Sequence, residues 1–149
     1  MQETVKDIMS REIVAVLPGD TAEEAARLMQ QHDVGSLPVV SGGELKGILT
    51  DRDIVIRCVA AGKQPDSVKA SELMTRDVAF VTPDQTVHDA VRMMAAEQVR
   101  RLPVVSNGFI DGMVSLADIA RRHAGPEIAE AISDISASAY GPGHAVRTK

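Results

Sequence analysis

An internal duplication constrains the fold of this chain more than any other feature of its sequence. When the sequence is laid on itself with a shift of 65 residues, 18 of the 50 pairs from Val5/Ala70 to Ile54/Ile119 are identical, without a gap. One copy of such a unit has about 50 residues, too few to bury an apolar face alone. Two copies can bury those faces against each other, so we predict one closed pair of repeats.

Both copies carry the same order of predicted elements, β-α-β-β-α. A short apolar run that ends at Pro18 or Pro83 predicts a strand, and a capping box that starts at Thr21 or Thr86 opens an amphipathic helix. Two apolar runs joined by Gly-Gly or Asn-Gly then predict a β-hairpin, which a second helix follows. The predicted ranges are strands 13–17, 37–40 and 45–49 with helix 52–61 in the first copy, and strands 78–81, 102–105 and 110–114 with helix 117–123 in the second.

The predicted fold class is α/β, in the α+β sense of two packed β-α-β-β-α repeats, with a short C-terminal helix. That helix is expected from an apolar stripe at helical spacing, formed by Ile128, Ala131, Ile132 and Ile135. Beyond it the composition indicates a mobile tail. The predicted boundaries are 5–62 for the first repeat, 70–123 for the second, 126–136 for the helix and 137–149 for the tail.

The composition argues against several classes of function. A formal net charge of -5 disfavours non-specific binding to nucleic acid or to anionic membranes. Cys58 is the single cysteine, so no intrachain disulfide can form, which fits a reducing compartment. No apolar run approaches the ~20 residues that span a bilayer, and the first residues lack the apolar segment of a signal peptide. We therefore expect a cytoplasmic protein.

The two strand-to-helix junctions, residues 47–54 and 112–119, share one pattern: a glycine, two apolar residues, Thr or Ser, two further residues and an aspartate. Together with the two Leu-Pro-Val-Val strands, this pattern resembles the cystathionine-β-synthase (CBS) domain, a pair of which is called a Bateman module. The resemblance covers about residues 5–123. The whole chain is similar to short stand-alone bacterial CBS-pair proteins, including those of the hypoxic-response type.

The resemblance implies two repeats related by a pseudo-twofold axis, with two clefts between them. Many family members bind AMP, ADP, ATP or S-adenosylmethionine in such clefts, and the pairs usually assemble into a dimer. These properties are expectations for this chain.

A hydroxyl and a carboxylate stand three residues apart at each junction, as Thr50/Asp53 and Ser115/Asp118. A carboxylate at the third helical position can accept hydrogen bonds from both hydroxyls of a ribose. The Ser or Thr hydroxyl and the N–H groups of the first helical turn can hold a ribose or phosphate oxygen. The alternative interpretation is that both pairs are capping boxes that only stabilise their helices.

The repeats differ just before the Leu-Pro strand, where Arg100-Arg101 replaces Gly35-Ser36. Two adjacent arginines can offer forked donors to a phosphate, and the family often has basic residues at this point. Alternatively they are a surface pair matched by Glu97 or by an aspartate. The phosphate interpretation predicts that the Arg101 cleft binds a phosphate-bearing ligand, while the other cleft is empty or takes an uncharged nucleoside end.

The resemblance implies that the adenine lies among apolar residues of the first strand and of the Leu-Pro strand. These same residues can instead be core. The complete set of predicted ligand-binding residues is Val16, Pro18, Ser36, Leu37, Thr50 and Asp53 in the first repeat, and Val81, Pro83, Arg100, Arg101, Leu102, Ser115 and Asp118 in the second.

No catalytic constellation is present: there is no Walker loop, no G-x-G-x-x-G motif, and no Ser or Cys nucleophile with a placed base. His32, His88, His123 and His144 lack the spacing of metal ligands. We therefore expect no catalytic residues, no metal and no enzymatic activity.

The expected function is that of a regulatory module that senses an adenine nucleotide, AMP or ATP, with no other cofactor. We expect a homodimer that signals in trans to an unidentified effector protein, because the chain contains no effector domain. Neither nucleic acid nor membrane is an expected partner. The alternative is a structural or oligomerisation protein whose clefts bind no nucleotide.

Overall fold

The computed structural model describes residues 3–123 and 125–139, which divide into two compact units. Residues 12–78 together with 107–110 form one unit, which we call the Thr50 unit. Residues 3–11 and 79–106 and the described residues from 111 onward form the other, which we call the Ser115 unit. The division into units therefore does not coincide with the boundary between the two sequence repeats.

Helices and strands follow one another in the same order in both repeats. The helices are α1 (Val5–Ile8), α2 (Ala22–His32), α3 (Asp51–Ile54) with a π-helical continuation (Val55–Val59), α4 (Ala70–Leu73), α5 (Val87–Glu97), α6 (Leu116–Arg122) and α7 (Pro126–Ala139). The strands are β1 (Ser36–Ser41), β2 (Glu44–Thr50), β3 (Arg101–Ser106) and β4 (Phe109–Ser115).

Two tight turns join the strands of the hairpins, as the Gly-Gly and Asn-Gly pairs predict. Gly42 and Gly43 have φ angles of 59° and 83°, and Asn107 and Gly108 have 52° and 86°. Positive φ at both central residues matches the right-handed twist of the flanking strands. Each of the four strands extends one residue beyond its predicted range at both ends.

The tip of the second hairpin belongs to the Thr50 unit. The Leu45 N–H donates to the Gly108 carbonyl at 3.0 Å, and the Ile110 N–H donates to the Gly43 carbonyl at 3.0 Å. These antiparallel bonds give the strand order β1-β2-β4-β3.

The capping boxes predicted for α2 and α5 are confirmed. The Glu24 N–H donates to the Thr21 hydroxyl at 3.1 Å, and the Glu24 carboxylate accepts the Thr21 N–H at 3.1 Å. In the second repeat the Asp89 N–H donates to the Thr86 hydroxyl at 3.1 Å, and the Asp89 carboxylate accepts the Thr86 N–H at 3.3 Å.

The segments at the starts of the two repeats, residues 3–9 and 68–74, are exchanged between the units, and we call them leaders. The leader 3–9 lies in the Ser115 unit, where the Val5 N–H donates to the Gln85 carbonyl at 2.8 Å. The leader 68–74 lies in the Thr50 unit, where the Ala70 N–H donates to the Asp20 carbonyl at 2.7 Å. Each repeat therefore receives the leader that begins the other repeat in the chain.

Each unit has its own aliphatic core, as the low aromatic content requires. Leu37, Leu49 and Leu73 are fully buried in the Thr50 unit, and Leu102 and Ile119 are fully buried in the Ser115 unit. Both cores include buried residues of a leader, so the exchanged segments are part of the folded units and not appendages.

The first predicted strand of each repeat is wrong as a strand, because it forms a single parallel bridge. Val16 pairs only with Val39, and Val81 pairs only with Val104. To extend the Val16–Val39 bridge into a longer parallel pairing, the next hydrogen bond in one direction needs the N–H of residue 18, and in the other direction the N–H of residue 38. Both residues are prolines, which have no N–H to donate. Prolines stand at the equivalent positions 83 and 103 of the second repeat, so the same limit applies there.

Three helices differ from their predicted ranges. The helix predicted over 52–61 begins at Asp51 and becomes π-helical from Val55, and the helix predicted over 117–123 is α6. Helix α7 begins at Pro126 as predicted but continues to Ala139, three residues past the expected end. Residues 140–149 of the predicted tail lie outside the described residues. Ile132 is exposed, so it is not in the apolar stripe of α7.

Candidate ligand-binding sites

In the Thr50 unit the predicted hydroxyl and carboxylate form a closed capping box at the start of α3. The Thr50 hydroxyl accepts the Asp53 N–H at 3.0 Å, and the Asp53 carboxylate accepts the Thr50 N–H at 3.0 Å. The Asp53 side chain is 13% exposed, and its second oxygen lies 3.9 Å from Arg57 Nε. Asp53 is therefore engaged in holding its own helix start.

In the Ser115 unit the same two positions are used differently. The Ser115 hydroxyl accepts the Asp118 N–H at 3.0 Å, so the N-cap itself is formed. The Asp118 carboxylate is bonded to the guanidinium of Arg121, and among the described residues it does not close a box onto Ser115. Its side chain is 31% exposed, against 13% for Asp53. The Asp118 carboxylate is thus held by an exposed arginine side chain and not by the backbone N–H of the cap residue.

Backbone hydrogen bonds hold each helix start beside the beginning of a Leu-Pro strand. The Asp51 N–H donates to the Gly35 carbonyl at 2.9 Å, and the Leu116 N–H donates to the Arg100 carbonyl at 2.8 Å. In the Thr50 unit, Ser36 is also the antiparallel partner of Thr50. The fold therefore brings the predicted strand residues and the predicted helix-start residues together within each unit.

The charge at this junction is opposite in the two units. Both Arg100 and Arg101 have exposed side chains, and within the part of the chain that the structure describes neither pairs with Glu97 or with another carboxylate. At the position of Arg100 the Thr50 unit has Gly35, and a Cβ atom added there would lie 3.1 Å from the carboxylate of Asp51. The Ser115 junction is basic and the Thr50 junction is acidic.

The predicted adenine-contact residues are mostly core. Val16, Leu37, Val81 and Leu102 are at most 2% exposed and lie in the aliphatic cores. Their role toward an adenine stays a prediction, because the core interpretation accounts for their burial.

Pro18 and Pro83, the other predicted apolar contacts, are half-buried, and their carbonyls accept N–H groups of the leaders. The Ser71 N–H donates to Pro18 at 3.0 Å and the Lys6 N–H donates to Pro83 at 3.0 Å. Sequence reasoning missed these contacts because no local pattern links a leader to a loop that lies more than 50 residues away in the chain.

No group of three or more His, Cys, Asp or Glu side chains that could hold a metal ion occurs among the described residues. Cys58 is fully buried, and its thiol donates to the Lys63 carbonyl at 3.5 Å. Within residues 3–123 and 125–139, no helix has the length and hydropathy needed to cross a membrane.

Comparison with known proteins decides the family. The family model of the CBS domain matches residues 5–59 and again residues 70–125. The chain belongs to the CBS-domain family. The CBS domain-containing protein YhcV of Bacillus subtilis is 42% identical over 134 residues, 89% of this chain and 95% of YhcV. Hypoxic response protein 1 of Mycobacterium tuberculosis is 40% identical over 119 residues, 79% of this chain and 83% of that protein.

Solved structures confirm the fold of the CBS pair. The crystal structure of Hypoxic Response Protein I with two coordinated zinc ions has a TM-score of 0.72 at 39% identity and covers 80% of this chain and 98% of that one. The CBS domain pair of protein MJ0100, in complex with 5'-methylthioadenosine and S-adenosyl-L-methionine, has a TM-score of 0.70 at 30% identity. That match covers 82% of this chain and 96% of the other.

Proposed function

We propose that this CBS pair is a regulatory module that binds an adenine nucleotide, AMP or ATP, in the Ser115 unit and reports its occupancy to a partner protein. The MJ0100 pair supports a ligand with an adenosyl group, because both compounds bound to it contain one; the preference for a phosphate rests on the arginines of this chain. The observation that carries the proposal is the junction of the Ser115 unit, where a hydroxyl and a carboxylate stand at the strand-to-helix turn and a backbone hydrogen bond holds the start of the exposed arginine pair beside it.

Each polar group of this junction has a chemical task in the proposal. The Asp118 carboxylate accepts hydrogen bonds from the ribose hydroxyls in place of Arg121. Ser115 and Arg101 donate to phosphate oxygens, for which a guanidinium is suited by its forked donors. The unpaired charge of the arginine pair favours AMP over adenosine, whose 5' end carries no charge.

The Thr50 unit supports a second candidate role. Its carboxylate is committed to the capping box, and its junction is acidic, which repels phosphate. We propose that this junction stays empty or takes an uncharged nucleoside end. Where both junctions stay empty, the protein is a structural or oligomerisation module, and the closed box at Thr50 is the observation that favours this alternative.

Signalling requires that the ligand bind two states of the module with different affinity, because equal affinity shifts no equilibrium. In the proposal a partner protein reads the shift in trans, and the module itself catalyses no reaction and needs no cofactor. A cytoplasmic location stays a prediction from the sequence.

We also propose a homodimer, and the π-helix offers a surface for it. Val55, Ile56 and Val59 are 53%, 49% and 59% exposed on one short helix, whereas the equivalent residues of the second repeat include Ala120 and Arg121. Light scattering after size exclusion is expected to give twice the chain mass, and Ile56→Ser is expected to raise the fraction of monomer. An unchanged mass for Ile56→Ser would place the interface elsewhere.

A binding screen tests the function. Isothermal titration with AMP, ADP, ATP, S-adenosylmethionine and adenosine is expected to show one site that binds AMP about tenfold more tightly than adenosine, since a charge-assisted hydrogen bond to phosphate is lost in the latter. A thermal shift with the same compounds gives an independent readout, because ligand at 100 times its Kd adds about 2.7 kcal/mol to the stability. Absence of binding by all five compounds would refute the sensor and favour the structural role.

A further inference from the structure

The leader 3–9 contacts both elements that carry predicted ligand residues in the Ser115 unit. Its Lys6 N–H donates to the carbonyl of Pro83, in the loop that follows the parallel bridge. Its Glu3 side chain reaches the C-terminal end of α6, the helix that begins at the Ser115 cap. The leader therefore bridges the two elements from which the proposed ligand site is built.

Glu3 lies between the guanidinium of Arg122 and the imidazole of His123, at the C-terminal end of α6. One carboxylate oxygen is 2.5 Å from Nη2 of Arg122, and the other is 2.7 Å from Nε2 of His123. Arg122 also approaches the Asp7 carbonyl at 3.4 Å, in the same leader. The Glu3 side chain is 27% exposed, so this cluster is only partly shielded from water.

In the Thr50 unit the leader 68–74 packs against its unit without a comparable cluster of charged side chains. The residues equivalent to Glu3 and His123 are Val68 and Cys58, which are buried in one aliphatic core at 6% and 0% exposure. Arg57, the equivalent of Arg122, keeps its bond to the leader backbone, donating to the Leu73 carbonyl at 3.1 Å. Packing a leader onto its unit therefore does not require an ionic cluster.

The presence of Glu3 and His123, where the other repeat has Val68 and Cys58, changes how the leader 3–9 is attached to its unit. A buried apolar contact gives a fixed attachment, whereas a partly exposed ion pair contributes little net stability and weakens with salt. The leader 3–9 is consequently attached less firmly than the leader 68–74. Its attachment depends on where α6 places Arg122 and His123.

The same short helix also carries the proposed ligand contact. Asp118 and Arg122 are four residues apart, so they lie on one face of α6, and Arg121 beside them is the present partner of Asp118. A ligand that takes the Asp118 carboxylate frees Arg121 and fixes the position of α6. Fixing α6 in turn fixes the two residues that hold Glu3.

We propose that Glu3, Arg122 and His123 form a latch whose closure is coupled to ligand binding in the Ser115 unit. The coupling rests on the proposed nucleotide site. Ligand binding tightens the leader 3–9, and the closed latch holds α6 in the position that binds the ligand, because linkage between two equilibria is reciprocal. Glu3 and Arg122 are thus positioning residues for the ligand site.

Hydrogen exchange tests the latch in the full chain, with AMP as the probe. Saturating AMP is expected to slow amide exchange in the peptide 3–9 and to leave the peptide 68–74, the matched internal control, unchanged. Glu3→Gln is expected to speed exchange in 3–9 and to raise the Kd of AMP by about threefold, the effect of one partly exposed ion pair. Raising the salt concentration is expected to reduce that difference.

Two further variants keep the test decisive. Arg122→Gln removes the cationic partner of Glu3 and is expected to reproduce the effects of Glu3→Gln. Glu72→Gln removes one carboxylate from the leader 68–74 and is expected to leave the Kd of AMP unchanged. AMP binding with no change of exchange in 3–9, and an unaltered Kd in Glu3→Gln, would overturn the latch and leave the nucleotide site standing. No AMP binding by the unmodified protein would overturn the proposed function, and the coupling with it.

Discussion

The helix starts at Thr50 and Ser115 occupy the same position in the two repeats, and both begin with a hydroxyl that caps the helix. At Thr50 the aspartate three residues on completes the box and is mostly buried. At Ser115 the equivalent aspartate turns to Arg121 and is more exposed, and an arginine pair stands beside it in place of Gly-Ser. A motif of one family thus closes a capping box in one unit, whereas in the other its carboxylate pairs with an exposed arginine.

The aspartate of the CBS motif therefore does not have the same hydrogen-bond partner in both repeats. Its spacing from the hydroxyl suits a capping box and a ribose site equally, because both require acceptors at the first helical turn. The charge beside the junction differs, being acidic in the Thr50 unit and basic in the Ser115 unit, and the proposed ligand site depends on this difference.

The largest expected effect comes from the two glycines that face the ends of the leaders and the residue that follows each. A Cβ atom added at Gly112 would lie 2.5 Å from the Ser10 carbonyl oxygen, and one added at Gly47 would lie 2.7 Å from the Thr75 carbonyl oxygen. Because backbone cannot yield as a side chain can, each Gly→Ala change is expected to cost about 2–3 kcal/mol in the free energy of unfolding. Urea unfolding followed by circular dichroism measures it, since the chain has no Trp.

Gly19→Ala is the matched control, because nothing lies within 4 Å of a Cβ atom at that position. Its effect is expected to stay within about 0.5 kcal/mol. A Gly112→Ala protein as stable as Gly19→Ala would contradict the close approach of Gly112 to the Ser10 backbone.

The next effect separates the two aspartates. Asp118→Asn is expected to weaken AMP binding by about 10–100-fold, the cost of losing charge-assisted hydrogen bonds to the ribose. Asp53→Asn is expected to leave the AMP affinity unchanged but to lower the free energy of unfolding by about 1 kcal/mol, since it disturbs a capping box. Titration calorimetry and urea unfolding measure the two quantities. Equal loss of affinity in both variants would refute the division of roles.

The smallest effect concerns acid stability of the leader in the Ser115 unit. The Thr4 backbone N–H, and then its hydroxyl, donate to the Asp7 carboxylate and hold the pKa of Asp7 below its usual value. A carboxyl group with a lowered pKa adds stability above its unfolded pKa and loses that contribution as pH falls through the folded one. The stability difference between the wild type and Asp7→Asn is therefore expected to shrink as pH drops below about 4.

Unfolding by urea over a pH series checks this, with Asp84→Asn, another exposed carboxylate of the same unit, as the control. A difference for Asp7→Asn that stays constant from neutral to strongly acidic pH would contradict the assignment.

Local sequence signals predicted much of the fold. The hairpin turns at Gly42-Gly43 and Asn107-Gly108 and the capping boxes at Thr21 and Thr86 depend on residues within four positions of one another, and the structure has them as expected. The shortened first strands follow from prolines that were visible in the sequence, but only their partner strands show which N–H groups are missing.

Other features depend on contacts between distant residues and could not be predicted. The exchange of leaders joins Val5 to Gln85 and Ala70 to Asp20, and no periodicity marks such a partner. For the candidate site, the positions of Asp53 and Asp118 followed from the motif, but the turn of Asp118 toward Arg121 did not. Identical spacing in the two repeats gave no sign that the carboxylates have different hydrogen-bond partners.

The exchanged leaders make each half of the chain depend on a segment of the other half. A chain with a single repeat cannot supply its own leader in this arrangement, so two separate molecules would have to trade segments to complete either one. Because one chain carries both repeats, the exchange here is an intramolecular step whose completion does not depend on concentration. Either repeat alone would lack the buried residues that the other repeat's leader adds to its core.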